Sequence, residues 1–531
     1  MDHKTGEKVE ELSWNGDNDS QNPMNWPSAK KWTVMLTATF IMFVVELNAT
    51  SITSAAVEIN EIFSVSDDSF PNSYWPVTSW TFAGAIFPII LTPIIEDRGT
   101  RPGFLLTYVL FALFVIPQAV AHNFATLIVT RAVSGACGAT IAAIVDGIAA
   151  DLWTEEGERG RAVTVYTFAL VGGYTVGPVI GGAVISELGW RWIFYIQLII
   201  YFSLLPLLYL VLQETRSPVV LTALARKLRQ EPPGRQIYSP AELASTSTWQ
   251  DLKEGLVRPT QLLFTEPVLA SFTLWSAFTL GMIFVFTQSI PQVYTGLYDW
   301  SSSSTGVVQI AVFIGQFIGF VACWIANDIY IRRNRAPHSD ARLETRLYLS
   351  IPSTIFALSG GFFVYAWTSS TSSIHWILPT LGLALVGFAS MVIVTAVDIY
   401  ITDSYAKYAG SAIAAVTFGE NTFSAFLPLA TQSMYSTLGF PWASSLLGFV
   451  GLALVVAPIV LVWKGEAVRG RSRFMSTGQL LGSKAEEDGM DRDAPSRPNL
   501  APVAQRKSNE TDDASVSSSR TLVGNTAMAT V

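Results

Sequence analysis

Four charged side chains lie inside long apolar stretches of this 531-residue chain: Glu46, Arg131, Asp146 and Glu420. A buried charge costs much free energy unless it has a partner or lines a polar cavity. A carboxyl group in such a place can exchange a proton or hold a cation, whereas an arginine stays charged and needs a carboxylate or carbonyl partner. The four residues therefore predict a polar path through an apolar body.

Each of these residues also has a purely structural interpretation. Glu46 lies about thirteen residues, hence about 20 Å, into its stretch, where it either carries a proton or only bonds a neighbouring helix. Glu420 likewise either takes part in transport or has only a structural role. Arg131 either changes the pKa of a nearby acid or anchors neighbouring helices. Asn48 and Thr50, close to Glu46, either line the path or join helices by hydrogen bonds. Asn421, beside Glu420, is a further candidate for the path.

A glycine-rich stretch, Gly172 to Gly182, reads Gly-Gly-Tyr-Thr-Val-Gly-Pro-Val-Ile-Gly-Gly. Glycines spaced by four residues leave a bare groove on a helix, where another backbone can approach closely. Pro178 has no N–H, so the carbonyl one turn earlier needs another donor. In water, glycines at about 1 kcal/mol each and a proline at about 3 kcal/mol would disfavour a helix, but lipid demands one. The residues that carry this pattern are Gly173, Gly177, Pro178, Gly181 and Gly182.

The composition is that of a membrane protein. Half of the residues are hydrophobic and only 14% are charged, against about 25% in soluble domains, and the mean hydropathy is +0.38. The net charge of −8 comes largely from tails and outer loops, so we expect no nucleic-acid partner. Stretches long enough to cross a bilayer are predicted near 33–54, 74–95, 103–122, 125–149, 163–186, 192–212, 266–289, 304–326, 347–368, 375–399, 409–434 and 441–463.

Basic residues accumulate in the loops after even-numbered spans, which predicts that these loops and both termini are cytoplasmic. The loop after span 2 holds Asp97, Arg98 and Arg101, and the loop after span 8 holds Asp328 followed by Arg332. These charges either change their contacts between two states of a gate or only reflect the usual enrichment of basic residues in cytoplasmic loops. An acid followed four residues later by arginine in both loops is a weak trace of duplication.

The predicted fold is an all-α membrane protein with twelve transmembrane helices in two pseudo-symmetric six-helix halves. Such architectures place the substrate near the midplane between the halves. The predicted segments are a disordered N-tail (1–32), two six-helix halves (33–213 and 266–463), a cytoplasmic central loop (214–265) and a disordered C-tail (464–531).

The sequence shows no catalytic or metal-binding constellation. The four histidines are scattered over tails and loops, and Cys137 and Cys323 fall in apolar stretches as small buried residues. We therefore expect no enzyme activity, no metal and no cofactor, and a monomer whose partners are the lipid bilayer, protons and a small-molecule substrate.

Several of these motifs resemble the major facilitator superfamily, and more narrowly its fungal twelve-span drug:proton antiporters. The glycine-rich stretch from Gly173 to Gly182 resembles the family's antiporter motif, and Arg131 with Gly135 and Gly138 resembles its motif in span 4. The resemblance covers roughly residues 22–470. It implies export of a drug or secondary metabolite by proton exchange, with a glycine-proline helix that seals against leak, in the plasma membrane or in a vacuolar or vesicle membrane.

Two departures from the family pattern concern charge and gating. Pro93 stands where the loop motif usually has a glycine, and Glu420 stands near a place where many fungal relatives carry arginine. The second change makes the expected cavity acidic. Proton-coupled uptake, or transport of organic acids or polyamines on the same fold, and a non-transporting sensor with the C-tail as output are the alternatives.

Overall fold

The computed structural model describes residues 10–475 apart from 17–18, 69, 231–235, 244–247, 335–342, 406–407 and 473. Its described part is almost entirely helical. Twelve long helices run at α1 Ser28–Ser51, α2 Trp75–Arg98, α3 Thr100–Ala119, α4 Phe124–Leu152, α5 Glu156–Leu188, α6 Arg191–Val211, α7 Pro267–Tyr298, α8 Ser302–Asn334, α9 Leu343–Thr368, α10 Ile377–Tyr405, α11 409–438 and α12 440–471.

Eleven apolar segments of the described chain are long enough to cross a membrane, and the last of them, Ala409–Gly465, has 57 residues. This segment is interrupted at Gly439, where φ is 74°. Glycine adopts this left-handed conformation without a steric penalty, and the chain turns back there. The segment therefore makes two passes, and the twelve-helix prediction is confirmed.

Several helices are longer than predicted. The fifth, α5, begins at Glu156 and not at 163, so Arg159 and Arg161 lie in its first turns. Glu156 and Glu158 stand in the first turn, where acidic side chains stabilise a helix. A hydropathy pattern marks only the part of a helix that lies in lipid, whereas hydrogen bonding continues the helix into the polar region.

The two halves have equivalent internal packing. In the first half α1 packs on α5, α2 on α4 and α3 on α4; in the second, α7 packs on α11, α8 on α10 and α9 on α10. Most core residues fall into two hydrophobic clusters, one for each half. The halves meet along two helix pairs, α2 with α11 and α5 with α8. This equivalence supports the predicted two-half architecture.

The tails depart from the predicted segments at both ends. Glu10–Glu11 forms a short parallel pairing with Ile237–Tyr238 of the central loop, and α1 begins at Ser28. The predicted disordered N-tail is therefore too long, because backbone pairing with the loop is invisible to composition. At the other end α12 continues to Arg471, and the prediction for 476–531 lies outside the described residues.

The central loop contains helices Ser217–Gln230, Pro240–Leu243 and Thr248–Thr265. The Arg229 side chain donates a hydrogen bond of 2.8 Å to Glu242, and this bond lowers the pKa of Glu242 below its ordinary value. The same glutamate caps its helix through the Ser239 N–H at 3.2 Å. These bonds join the first two loop helices.

The glycines of α5 lie directly against the backbone of α1. A methyl group added at Gly173 would lie 2.7 Å from the Glu46 Cβ, and one added at Gly177 would lie 2.8 Å from the Leu47 carbonyl oxygen. One added at Gly181 would overlap the Ser51 carbonyl oxygen. The predicted bare groove exists, and α1 fills it.

Gly177→Ala is expected to lower the thermal unfolding midpoint of the detergent-purified protein, because the added methyl group must push α1 and α5 apart. Overpacking of this kind costs about 1–3 kcal/mol. The matched control is Gly296→Ala on α7, where an added methyl group would have no neighbour within 4 Å. Equal midpoints for the two variants would contradict the close contact.

Candidate functional site

A cavity of about 600 Å³ lies between the two halves. At its inner end it is lined by Tyr174 on α5 and Leu280 on α7. Toward the central loop its walls include Glu96 and Arg216, and the loop helix Thr248–Thr265 contributes Gly255 and Arg258. We call this end of the molecule the loop end. The cavity therefore reaches from the middle of the bundle to the loop end.

The opposite end of the bundle is closed by hydrogen bonds between the halves. The Tyr74 hydroxyl lies 3.1 Å from the Thr287 hydroxyl. Thr78 donates to the Ala425 carbonyl oxygen at 3.0 Å, and the Gln432 amide donates to the Asp67 carbonyl oxygen at 3.0 Å. These contacts separate the cavity from the surface opposite the loop end.

Four of the predicted site residues line the cavity: Asp97 near the end of α2, Asp146 on α4, and Glu420 and Asn421 on α11. The Ser276 hydroxyl of α7 donates a hydrogen bond to Glu420, and the Asn421 amide donates to Thr417 on its own helix at 3.1 Å. Carboxyl groups from opposite halves thus face one space. Because Arg159, Arg216 and Arg258 line the same cavity, the space offers both charges and suits a polar, hydrogen-bonding substrate.

Asp398 on α10 is a further buried carboxyl group close to this region. It accepts a hydrogen bond of 3.3 Å from Thr167 on α5, and it interacts electrostatically with Glu420 and Asp146. Asp403 on the same helix differs, because it pairs with Arg159 at 2.6 Å. The described contacts of Asp398 thus place it with the central acids.

Glu46 lies outside the cavity, completely buried under Gly173 of α5. Neither of its carboxyl oxygens has a hydrogen-bond partner among the described residues. Tyr174 is its neighbouring polar side chain. The sequence predicts Glu46 and Glu420 in one site, but the structure places them in two different surroundings, one enclosed by protein and one open to the cavity.

Arg131 is also fully buried, and its hydrogen-bond acceptors are backbone and amide oxygens. It donates to the carbonyl oxygens of Pro76 at 2.9 Å, Asn48 at 2.8 Å and Ala49 at 2.6 Å. A further bond of 3.1 Å reaches the Asn48 side chain. The carbonyl partners match the expectation for a buried arginine, and they join α4 to α1 and α2.

Asn48 extends this network to α6. Its amide donates to the Gln197 side chain at 2.8 Å, and Gln197 donates to the Ser51 hydroxyl at 2.9 Å. Asn48 and Arg131 are not among the residues that line the cavity. The geometry therefore agrees with the interpretation of Asn48 as a joint between helices.

The carbonyl that Pro178 leaves without its helical partner belongs to Tyr174, and α1 supplies the missing donor. Thr50 donates a hydrogen bond of 2.7 Å to the Tyr174 carbonyl oxygen, and Ser54 donates to the Pro178 carbonyl oxygen at 2.9 Å. These bonds explain how α5 stays helical across Pro178. The backbone hydrogen bonding of the glycine-rich stretch is thus complete only together with the chain segment of α1 and the residues that follow it.

The turn between α2 and α3 is tied to the end of α6. Glu214 accepts hydrogen bonds from the N–H groups of Thr100 at 2.9 Å and Arg101 at 3.0 Å. The Arg101 side chain donates to the Tyr209 carbonyl oxygen at 3.1 Å. Asp97 and Arg98 are exposed at the loop end. These contacts lie within one half, so the gating role stays a prediction.

Sequence reasoning missed several neutral side chains that complete these sites. Tyr166 and Tyr174 line the cavity from α5, and Ser276 donates a hydrogen bond to Glu420. A neutral hydroxyl inside an apolar stretch has many possible partners, so it gives little signal. Thr50 differs from these three residues, because the sequence offers it as a possible joint between helices, and in the structure it donates to the carbonyl oxygen that Pro178 leaves free.

Two bundles of six helices with a polar cavity between them define a polytopic membrane transporter. The Major Facilitator Superfamily family model matches residues 38–426, and the chain belongs to this superfamily. It is 34% identical over 456 residues to the MFS transporter paaT of Penicillium rubens, covering 86% of this chain and 82% of the relative. This result confirms the resemblance found in the motifs.

Other relatives are fungal as well. The efflux pump radE of Floropilus chiversii is 31% identical, with 87% of this chain and 85% of the relative covered. The multidrug transporter FLU1 of Candida albicans is 29% identical, with 87% and 76% covered. The proton:xylose symporter XylE has a similar fold, with a TM-score of 0.57 at 17% identity over 83% of this chain and 96% of that chain.

Thr50→Val is expected to destabilise the protein by about 1–3 kcal/mol, because it leaves the Tyr174 carbonyl without a donor in a dry interior. In a Pro178→Ala background the new N–H can satisfy that carbonyl, so the same substitution should cost less. A double-mutant cycle on thermal unfolding measures this coupling.

The control for this cycle is Thr107→Val, which removes a buried hydroxyl whose 2.8 Å bond goes to Gly103 of its own helix. Pro178→Ala should leave the cost of this control unchanged. Additive effects of Thr50→Val and Pro178→Ala would show that the Thr50 bond does not replace the missing proline N–H.

Proposed function

We propose that the protein exports a small organic molecule in exchange for protons. The observation that carries the proposal is the pair of carboxyl groups, Asp146 and Glu420, that face one cavity from opposite halves. A transporter that alternates access between its halves changes the distance between groups on those halves in each cycle. Substrate binding and the conformational change are then linked through the same two acids.

Glu46 is the residue to which we assign the transported proton. A carboxylate with no hydrogen-bond partner in a dry interior is very costly, so Glu46 fits its surroundings as a neutral acid. It contacts Gly173 of the antiporter motif. Any movement of α1 against α5 changes its surroundings and hence its affinity for a proton, which provides the coupling.

Arg131 holds α1 in place relative to α2 and α4 in this proposal. Its bonds to the Asn48 and Ala49 carbonyl oxygens fix the turn of α1 that follows Glu46. Efflux as the direction of transport is supported by the relatives named as an efflux pump and a multidrug transporter. We place the protein in the plasma membrane with both termini in the cytoplasm.

Glu46→Gln is expected to abolish the acceleration of transport by a pH gradient, because glutamine cannot release a proton. The full-length protein is reconstituted in proteoliposomes, and uptake of ethidium, an organic cation, is followed by fluorescence with and without an imposed gradient. In the variant the two rates should coincide. Ethidium binding measured separately in detergent should persist.

The matched control is Glu187→Gln, which removes an exposed glutamate near the end of α5 and should leave the gradient effect intact. A gradient effect of normal size in Glu46→Gln would rule out Glu46 as the proton carrier. Ethidium binding by the unaltered protein with no flux under any gradient would favour the sensor alternative over transport.

A further inference from the structure

A second cavity, of about 350 Å³, lies between α8, α9 and α10, outside the space between the halves. Its apolar wall is formed by Cys323 and Ala326 on α8 together with Val392 and Ala396 on α10. Ile329 and Tyr348 at its edge are each about half exposed on the outer surface of the bundle. We call this space the lateral groove.

Two arginines line the polar part of the lateral groove: Arg333 near the end of α8 and Arg346 near the start of α9. Arg333 is exposed. Ten residues of helix separate it from Cys323, a rise of about 15 Å. The groove therefore has an apolar wall and a basic mouth. Its length is roughly that of a lipid headgroup, its glycerol backbone and the first carbons of an acyl chain.

Arg346 has a donor that the protein leaves without an acceptor. The side chain is only 4% exposed and lies 3.5 Å from Asp403, and its Nη1 donates to Asn327 at 2.5 Å. The guanidinium lies 3.6 Å from the centre of the Tyr330 ring. Its Nε is buried with no hydrogen-bond partner among the described residues. An acceptor in the groove would satisfy it.

The charges around the groove leave a positive excess. Asp403 is shared between Arg346 and Arg159, which lies 2.6 Å from it, and Glu156 accepts a hydrogen bond from Tyr330 at 3.1 Å. Arg333 adds a further positive charge at the mouth. Among the described residues, two acids thus face three arginines, so this part of the groove is complementary to an anion.

We propose that the lateral groove binds one anionic glycerophospholipid. Its phosphate is held by Arg333 and the Nε of Arg346, and an acyl chain lies along Ala326, Val392 and Ala396. The predicted topology places the groove in the cytoplasmic leaflet, where anionic lipids are concentrated. Basic pockets between transmembrane helices on this side recognise lipid headgroups in this way.

The test is native mass spectrometry of the purified full-length protein titrated with phosphatidylserine and, separately, with phosphatidylcholine. Phosphatidylserine should bind more tightly, and Arg333→Gln should weaken its binding about fivefold. The matched control is Arg332→Gln, which removes the neighbouring exposed charge but does not line the groove. This control should retain the affinity of the unaltered protein.

Ala326→Leu is a second variant that fills the apolar wall without changing charge, and it should also weaken phosphatidylserine binding. Thermal unfolding midpoints identify any variant that is misfolded. Inorganic phosphate in large excess should not displace the lipid, because it cannot use the apolar wall. The proposal would be overturned if the protein bound the two lipids with equal affinity, or if Arg333→Gln and Arg332→Gln lost the same affinity. Full binding of phosphatidylserine by both groove variants, or its displacement by inorganic phosphate, would overturn it as well.

Discussion

The constraint on which the structure depends is that a polar group inside a membrane bundle needs a partner from within the protein. Pro178 removes a backbone N–H from α5 at a point that is buried inside the bundle. Thr50 on α1 provides the replacement bond to the Tyr174 carbonyl. The glycines of α5 let α1 approach closely. The same contact between α1 and α5 therefore provides both the close packing and the hydrogen bond from Thr50 to Tyr174.

The same constraint explains the position of Arg131. Its guanidinium donors reach three backbone carbonyl oxygens on α1 and α2, so its charge is stabilised without a carboxylate. Among the described residues, Arg131 therefore forms no ion pair with Glu46 or Asp146, the two acids inside the apolar stretches of the first half. Asp146 is directed to the cavity and Glu46 to the dry contact with α5, so the two acids have different environments and can serve different purposes.

The twelve helices, their division into two halves and the close approach at Gly177 could all be predicted from the sequence. Length, apolarity and glycine spacing are local properties, and lipid leaves few alternatives to a helix. The separation of Glu46 from Glu420 could not be predicted in this way. Depth along a helix is readable from the chain, but the direction of a side chain around the helix axis depends on which neighbours pack against it.

The helix ends and the neutral partners were harder to predict for a related reason. The start of α5 at Glu156 lies beyond the apolar stretch, where hydropathy carries no signal. Ser276 became part of the site only because α7 packs against α11. Such pairings depend on tertiary contacts between distant segments, and no local pattern in the sequence contains them.

The central claim, that binding of the cargo is linked to the release of a proton from Glu46, is tested most directly by proton release on binding. Ethidium is added to the purified protein in a weakly buffered detergent solution, and the pH change is recorded alongside bound ethidium. The account predicts protons released in proportion to bound ethidium, and no release from Glu46→Gln at equal occupancy. Binding without proton release, or the same release from the variant, would contradict it.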